Sequence, residues 1–302
     1  MRAIPLPRVW TLEELEEARL LDIADFVSGR TEQGDESYAA ILATATAEVE
    51  RLFVATNDLT ALGDGEILTD DARYLAALRY TSGPPISADD LVVMANAAKR
   101  TRRFLSAEAQ RIASLLWLAR DKARFPWLDP TPARRPDDIE RRVAISVTAS
   151  LMATQRIATV RRNESSDRQE GAVKTYLRDA AFELVPARAI DAPDDIERGQ
   201  FCGEARVAGD KADLTVRLRD GRLLLIECKV SGSALNSVKR LNDIGNKAAT
   251  WRRAFGDIAI PMGVIAGVFR LVNLANAQNR KAIALVWERD LAPLGDFLLR
   301  AV

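Results

Sequence analysis

From Leu223 to Ser231 the chain reads LLLIECKVS. Successive strand residues face opposite sides of a sheet, so an unbroken apolar run from Leu223 to Ile226 needs cover on both faces. That requirement describes an inner strand of an α/β protein with helices on either side. Glu227 and Lys229 then share one side at the strand's end. Two charges in that position are costly unless they are paired or used. Two readings therefore stand side by side: a salt bridge closing the strand, or a site for a metal ion and a phosphate.

The flanking sequence builds a sheet around this strand. ADLTVRL (212–218), RDG (219–221) and RLLLIECKV (222–230) read as strand, tight turn and strand, a hairpin. FELVPAR (182–188) fits a first strand, and the acidic DAPDDIERG (191–199) a loop. In NSVKRLNDIGNKAATWRRAF (236–255), Val238, Leu241, Ile244, Ala248, Trp251 and Phe255 make one helical stripe. Lys239, Arg240, Asn242, Asn246 and Lys247 fall on or beside the opposite face. MGVIAGVF (262–269) and AIALVWE (282–288) are further strands, and a helix closes the chain.

The first half reads as helix. Thr11 and Glu14 form a capping box for a helix to about Ser28. Further helices fit Glu36–Val54, Asp70–Tyr80, Ala88–Arg103, Ala107–Arg124, Pro136 to about Arg161, and Gln169–Ala181. Breakers separate several of them: GDG at 63–65, SGPP at 82–85 and FPWLDPTPARRP at 125–136. The expected organisation is a helical domain over 1–155, then an α/β domain with a mixed sheet over 156–302.

Composition narrows the chemistry. The 302 residues contain no histidine, which removes His-ligated zinc, Ser-His-Asp triads and Cys-His pairs. Catalysis must use carboxylates, lysine, hydroxyls or a metal. Lys+Arg 43 equals Asp+Glu 43, so any nucleic-acid binding depends on a local patch. Cys202 and Cys228 have no CxxC spacing and fit reduced thiols. MRAIPLPRVW lacks the apolar core of a signal peptide, and the apolar run Ile258–Phe269 is too short to cross a bilayer. A soluble cytoplasmic protein with no membrane partner is expected.

An aspartate and a glutamate on adjacent strands, with a lysine two residues past the glutamate, can serve a magnesium-dependent nuclease. Mg²⁺ takes oxygen ligands, usually one or two carboxylates completed by water and phosphate. Asp213 and Glu227 would supply the carboxylates, with the main-chain carbonyl of Cys228 as a further ligand. Lys229 would orient the attacking water or stabilise charge. Asp213 shares its face with Thr215 and Arg217, while Leu214, Val216 and Leu218 face the core. The ExK spacing by itself is weak, since about one match is expected by chance at this composition. Its weight comes from the buried strand and the hairpin partner.

The segment GDKADLTVRLRDGRLLLIECKVSGSALNSVKRLN resembles the PD-(D/E)xK superfamily of nucleases, and more narrowly the XamI-type restriction endonucleases. SGPPISADDL (82–91), RFPWL (124–128), TVRRNESSDRQE (159–170), KAATWRRAFG and LVWERDLAPLGDFL resemble the same family. Asp213 here follows alanine instead of proline, and WERD (287–290) carries arginine where the family has histidine. The resemblance implies Mg²⁺-dependent cleavage of double-stranded DNA at a short sequence, leaving 5′-phosphate and 3′-hydroxyl ends. It also implies that Glu170, on the helix before the sheet, joins the metal site; the alternative is an ordinary pair with Lys174 at i+4.

For a palindromic target, a homodimer supplies two sites related by a two-fold axis. The helical half would contribute dimer contacts or embrace the DNA. A cognate DNA methyltransferase is expected in the same system, though not as a stable partner. DNA contacts are expected from Lys239 and Arg240, from Ser231, Ser233 and Asn236 after the catalytic strand, and from Arg161 and Arg162. Arg156 and Arg168 lie near the same boundary, whereas AAKRTRR (97–103) fits a solvated helix end. A repair or recombination nuclease on the same core, and a DNA-binding regulator without catalysis, are the competing readings.

Overall fold

The computed structural model describes residues 4–31, 34–62, 72–96 and 106–302. GDG at 63–65, the start of the helix expected at Asp70 and AAKRTRR (97–103) lie outside the described residues. The chain forms two units, Met1–Glu32 with Arg161–Val302, and Gln33–Val160.

The first unit contains the sheet. Its strands are β1 (Glu183–Leu184), β2 (Gln200–Cys202), β5 (Leu214–Arg217), β6 (Leu223–Ser231), β7 (Ala259–Gly267) and β8 (Ala284–Trp287), hydrogen-bonded in that order. β3 (Ala205–Val207) and β4 (Asp210–Ala212) form a separate antiparallel ribbon. β6 runs antiparallel to β5 and parallel to β7, and β7 runs parallel to β8. The sheet is therefore mixed, with β6 inside it, as the unbroken apolar run requires.

Both faces are covered. Leu224, Ile226 and Cys228 pack with Val173, Leu177, Leu294 and Phe297. These come from the end of α6 (Asp138–Asp179) and from α9 (Ala292–Arg300). On the other face Leu223 and Leu225 meet Trp251, while Ile265 and Leu285 meet Leu241, Ile244 and Ala248. That cover is α7 (Asn236–Phe255), flanked by α8 (Leu271–Asn279). Leu223 to Ile226 have no exposed surface, which stabilises the fold by roughly 1.5–3 kcal/mol per side chain.

Several expectations are corrected. The helices expected at 136–161 and 169–181 are one helix, α6, of 42 residues. No proline or glycine interrupts NESSD, and the Ser165 hydroxyl donates to the Arg161 carbonyl at 2.6 Å, so the polar stretch stays helical. Part of α6 is long and apolar enough to cross a membrane by length and composition alone; Ala144, Ile145, Ala149, Met152 and Ala153 on it belong to a protein core. The strand expected over 212–218 breaks at Asp213, between β4 and β5. Thr215 and Arg217, expected away from the core, are buried because the second face is also covered.

The chain's first helix, α1 (Leu12–Thr31), belongs to the sheet unit and not to a helical domain over 1–155. Thr11 and Glu14 make the capping box: the Glu14 amide donates to Thr11 Oγ1 at 3.2 Å, and the Thr11 amide to Glu14 Oε2 at 2.7 Å. Trp10 donates its indole N–H to the Leu285 carbonyl and its amide to Gln278 Oε1, both at 2.8 Å. The Gly267 amide donates to Asp22 Oδ2 at 2.5 Å. These bonds, with buried Leu15, fix α1 against the sheet's end.

The second unit holds α2 (Gly34–Ala55), α3 (Ala72–Leu78), α4 (Ala88–Met94), α5 (Ser106–Leu118) and the first part of α6. Its core contains Phe53, Phe125 and Trp127, with ring centroids 5.6–6.4 Å apart. SGPP and RFPWL meet here: Arg124 donates to the carbonyls of Tyr80 (2.7 Å) and Ser82 (3.2 Å) and to Thr148 Oγ1 (3.1 Å).

Candidate active site

β5 and β6 bring Asp213, Glu227 and Lys229 together. Opposite Asp213, the Ile226 carbonyl accepts its amide at 3.1 Å, and Asp213 Oδ2 in turn accepts the Cys228 amide at 2.7 Å. Lys229 Nζ lies 2.6 Å from Glu227 Oε2 and 3.4 Å from Asp213 Oδ2. Asp243 of α7 stands 3.8 Å from the same ammonium and is half exposed.

The sequence reading did not foresee Lys247. Its Nζ lies 2.8 Å from both Glu227 oxygens, although helical phase put it on or beside the solvent face. It stands next to buried Ala248, three residues past Ile244. A long side chain at the rim of an apolar stripe can lie along that stripe and bury its stem. The only sequence signal was a lysine flanking a stripe that faces a strand-borne glutamate.

Electrostatics follow from burial. Glu227 has no exposed surface; that burial, then the field of Asp213, raises its pKa against the pull of Lys229 and Lys247. Burial pulls Lys229 down, but the fields of Asp213 and Glu227 outweigh it and the net shift is upward. Burial, then Asp213 and Glu170, raise the Cys228 thiol far from thiolate formation, so any part of Cys228 in metal binding falls to its main chain.

Among the described residues no three Asp, Glu, Cys or His side chains form a ready metal cage. Magnesium commonly binds one or two carboxylates and takes its other ligands from water and phosphate. Asp213 and Glu227 fit that donor set. They are hard oxygen ligands beside one another, and the buried Glu227 carboxylate already gathers cationic groups.

The other expected residues are placed as follows. Glu170 pairs with Lys174 at 3.0 Å, and the field of Glu170 reaches Cys228. Ser231 is buried and donates to the Ser233 carbonyl at 2.8 Å, while Ser233 Oγ accepts the Asn236 amide at 3.3 Å. Both serines thus shape the turn into α7. Lys239 and Arg240 are exposed and line a shallow concavity with Leu235, Val238, Asn242, Asp243 and Asn246. On α6, Arg161 is half-buried and Arg162 exposed. Arg168 is engaged by Glu288 of WERD at 2.6 Å, and Arg156 by Glu48 at 2.6 Å.

This arrangement can hold a divalent cation between the Asp213 and Glu227 carboxylates, with an ammonium beside it and cationic side chains on the adjoining helix. The family model described as XamI restriction endonuclease matches residues 57–287, which include Asp213, Glu227, Lys229 and Lys247. A type II restriction enzyme, XamI, of Xanthomonas campestris pv. amaranthicola is 40% identical over 265 residues, covering 83% of this chain and 93% of that protein. With the expected resemblance met over most of its length, the chain belongs to the XamI restriction endonuclease family.

Proposed function

We propose that Asp213, Glu227 and Lys229 are the hydrolytic centre with which this type II restriction endonuclease cleaves double-stranded DNA, using Mg²⁺ and leaving 5′-phosphate and 3′-hydroxyl ends. The observation that carries the reading is the contact of Lys229 with both carboxylates at the end of the buried strand, 2.6 and 3.4 Å away. Asp213, Glu227 and the Cys228 carbonyl would hold the ion. When bound, such an ion neutralises phosphate charge and acidifies water. Lys229 orients the attacking water and stabilises the charge growing on the phosphate oxygens. Glu170, whose Oε2 is paired with Lys174, joins the centre through its other carboxylate oxygen or by releasing that lysine.

Asn236, Lys239 and Arg240, presented by the turn that Ser231 and Ser233 shape, contact DNA, as do Arg161 and Arg162 on α6. The enzyme acts as a homodimer, and the exposed apolar stripe Ile139, Val143, Val147 on α6 supports a dimer contact through the helical unit. A methyltransferase of matching specificity protects the host DNA.

Digestion of a mapped plasmid followed by end sequencing tests this function. Discrete fragments with ligatable 5′-phosphate ends are expected with Mg²⁺ or Mn²⁺, and none with EDTA or with Ca²⁺. Undiminished cutting in EDTA would overturn the metal mechanism. Scattered cuts without a common sequence would favour a repair nuclease on the same core.

A further inference from the structure

Glu227 has two counter-ions, and they are not equivalent. Lys229 Nζ is shared among Glu227, Asp213 and Asp243 at 2.6, 3.4 and 3.8 Å. Lys247 Nζ engages Glu227 at both oxygens, 2.8 Å each. Both lysine side chains are largely withdrawn from solvent, 12% and 19% exposed. The helix carrying Lys247 is fixed, since Leu241, Ile244, Ala248 and Trp251 around it are buried.

We infer that Lys247 is a positioning residue that holds the Glu227 carboxylate while the site lacks metal, and that an incoming divalent cation must displace it. The inference rests on Glu227 being a metal ligand. Asp213 and Glu227 carry two negative charges and Lys229 and Lys247 two positive ones, so these four groups balance without a metal, with the half-exposed Asp243 at the rim, 3.8 Å from Lys229. Balance lets a buried carboxylate stay ionised and ordered. It also means that a cation approaching Glu227 meets an ammonium bonded to both ligand oxygens. A displaced Lys247 can turn toward Glu204, on the turn before β3, which is exposed, is paired with Lys211 at 2.6 Å and also feels the charge of Lys247.

This arrangement sets a threshold for metal entry. The free enzyme binds the cation weakly, and a DNA phosphate brought next to the cluster adds the negative charge that tips the balance toward the metal. Metal loading is thereby coupled to DNA engagement through one lysine.

The test is Mn²⁺ binding to the full-length protein without DNA, read by electron paramagnetic resonance of free Mn²⁺, with thermal unfolding as the folding control. Lys247→Met is expected to bind Mn²⁺ at least about tenfold more tightly than wild type, because a repelling charge has gone. Lys247→Arg is expected to restore the weak binding. Lys247→Gln carries the same expectation as Lys247→Met if the apolar variant does not fold. Glu227→Gln should lose Mn²⁺ binding, and adding Lys247→Met to it should change nothing. Unchanged or weaker binding in both Lys247→Met and Lys247→Gln, with Glu227→Gln still deficient, overturns the role of Lys247. Wild-type Mn²⁺ affinity in Glu227→Gln would instead overturn the underlying assignment of Glu227 as a ligand.

Discussion

The main-chain amide of Cys228 donates to Asp213 Oδ2 at 2.7 Å. The strand that carries Glu227 and Lys229 therefore also orients the third charged group, by a bond whose donor is fixed by the main chain. Asp213 lies between β4 and β5, just before the β5–β6 ladder begins at Leu214, and its own amide donates to the Ile226 carbonyl at 3.1 Å.

Asp213→Asn keeps an oxygen that can accept the Cys228 amide and removes the charge. Its melting temperature should stay close to wild type, while cleavage falls more than about a hundredfold. Thermal unfolding and plasmid cleavage measured on the same preparation check this. A large loss of stability would show that the carboxylate serves the fold, and retained cleavage would remove Asp213 from the centre.

Lys239 and Arg240 are exposed on the α7 surface that adjoins the centre. Lys239→Ala and Arg240→Ala should each weaken DNA binding and lower the slope of log affinity against log salt by about one, as expected for one lost phosphate contact. Folding should be unaffected, since neither side chain is buried. Titrations at several salt concentrations, with Ca²⁺ in place of Mg²⁺, give the slope. An unchanged slope in both variants would place the DNA elsewhere.

Asp22 gives a pH dependence of stability. Burial, with the fields of Asp25 and Glu288, raises its pKa from 3.8 to about 6, against the Gly267 amide and Arg289. The folded protein thus keeps a proton that the unfolded chain has lost. Stability from this group is full below pH 4 and falls as pH rises to about 6, by up to about 3 kcal/mol. Asp22→Asn can still accept the Gly267 amide and does not titrate. Its melting temperature should vary less across that window and should match or exceed wild type at pH 7. Parallel curves for the two proteins would show that Asp22 is not the group responsible.

The parts of the fold that were legible in the sequence are those where one periodicity dominates. α7 spans 236–255 as its apolar stripe indicates, and the two-face apolar run marks β6. α1 was harder to assign, because Leu12, Leu20, Leu21 and Val27 are exposed while Leu15 and Asp22 are buried. No stripe shows which core it serves. β2, β3 and β4 have three residues each, too few for alternation to register. At the site, strand period put Glu227 and Lys229 on one side, and the hairpin brought Asp213 to them. Lys247 escaped because helical phase locates a Cβ, whereas the position of a lysine ammonium depends on a flexible four-carbon stem.

The sheet unit is made from two separate segments, Met1–Glu32 and Arg161–Val302, with Gln33–Val160 inserted between them. During synthesis α1 therefore leaves the ribosome well before the groups it docks on, Gly267, Gln278 and Leu285. The inserted unit can complete its own core while Trp10 and Leu15 wait without a partner. A nuclease assembled in this order gains its finished sheet only after the inserted unit has been made, so a prematurely terminated chain can retain a folded helical unit without a completed sheet.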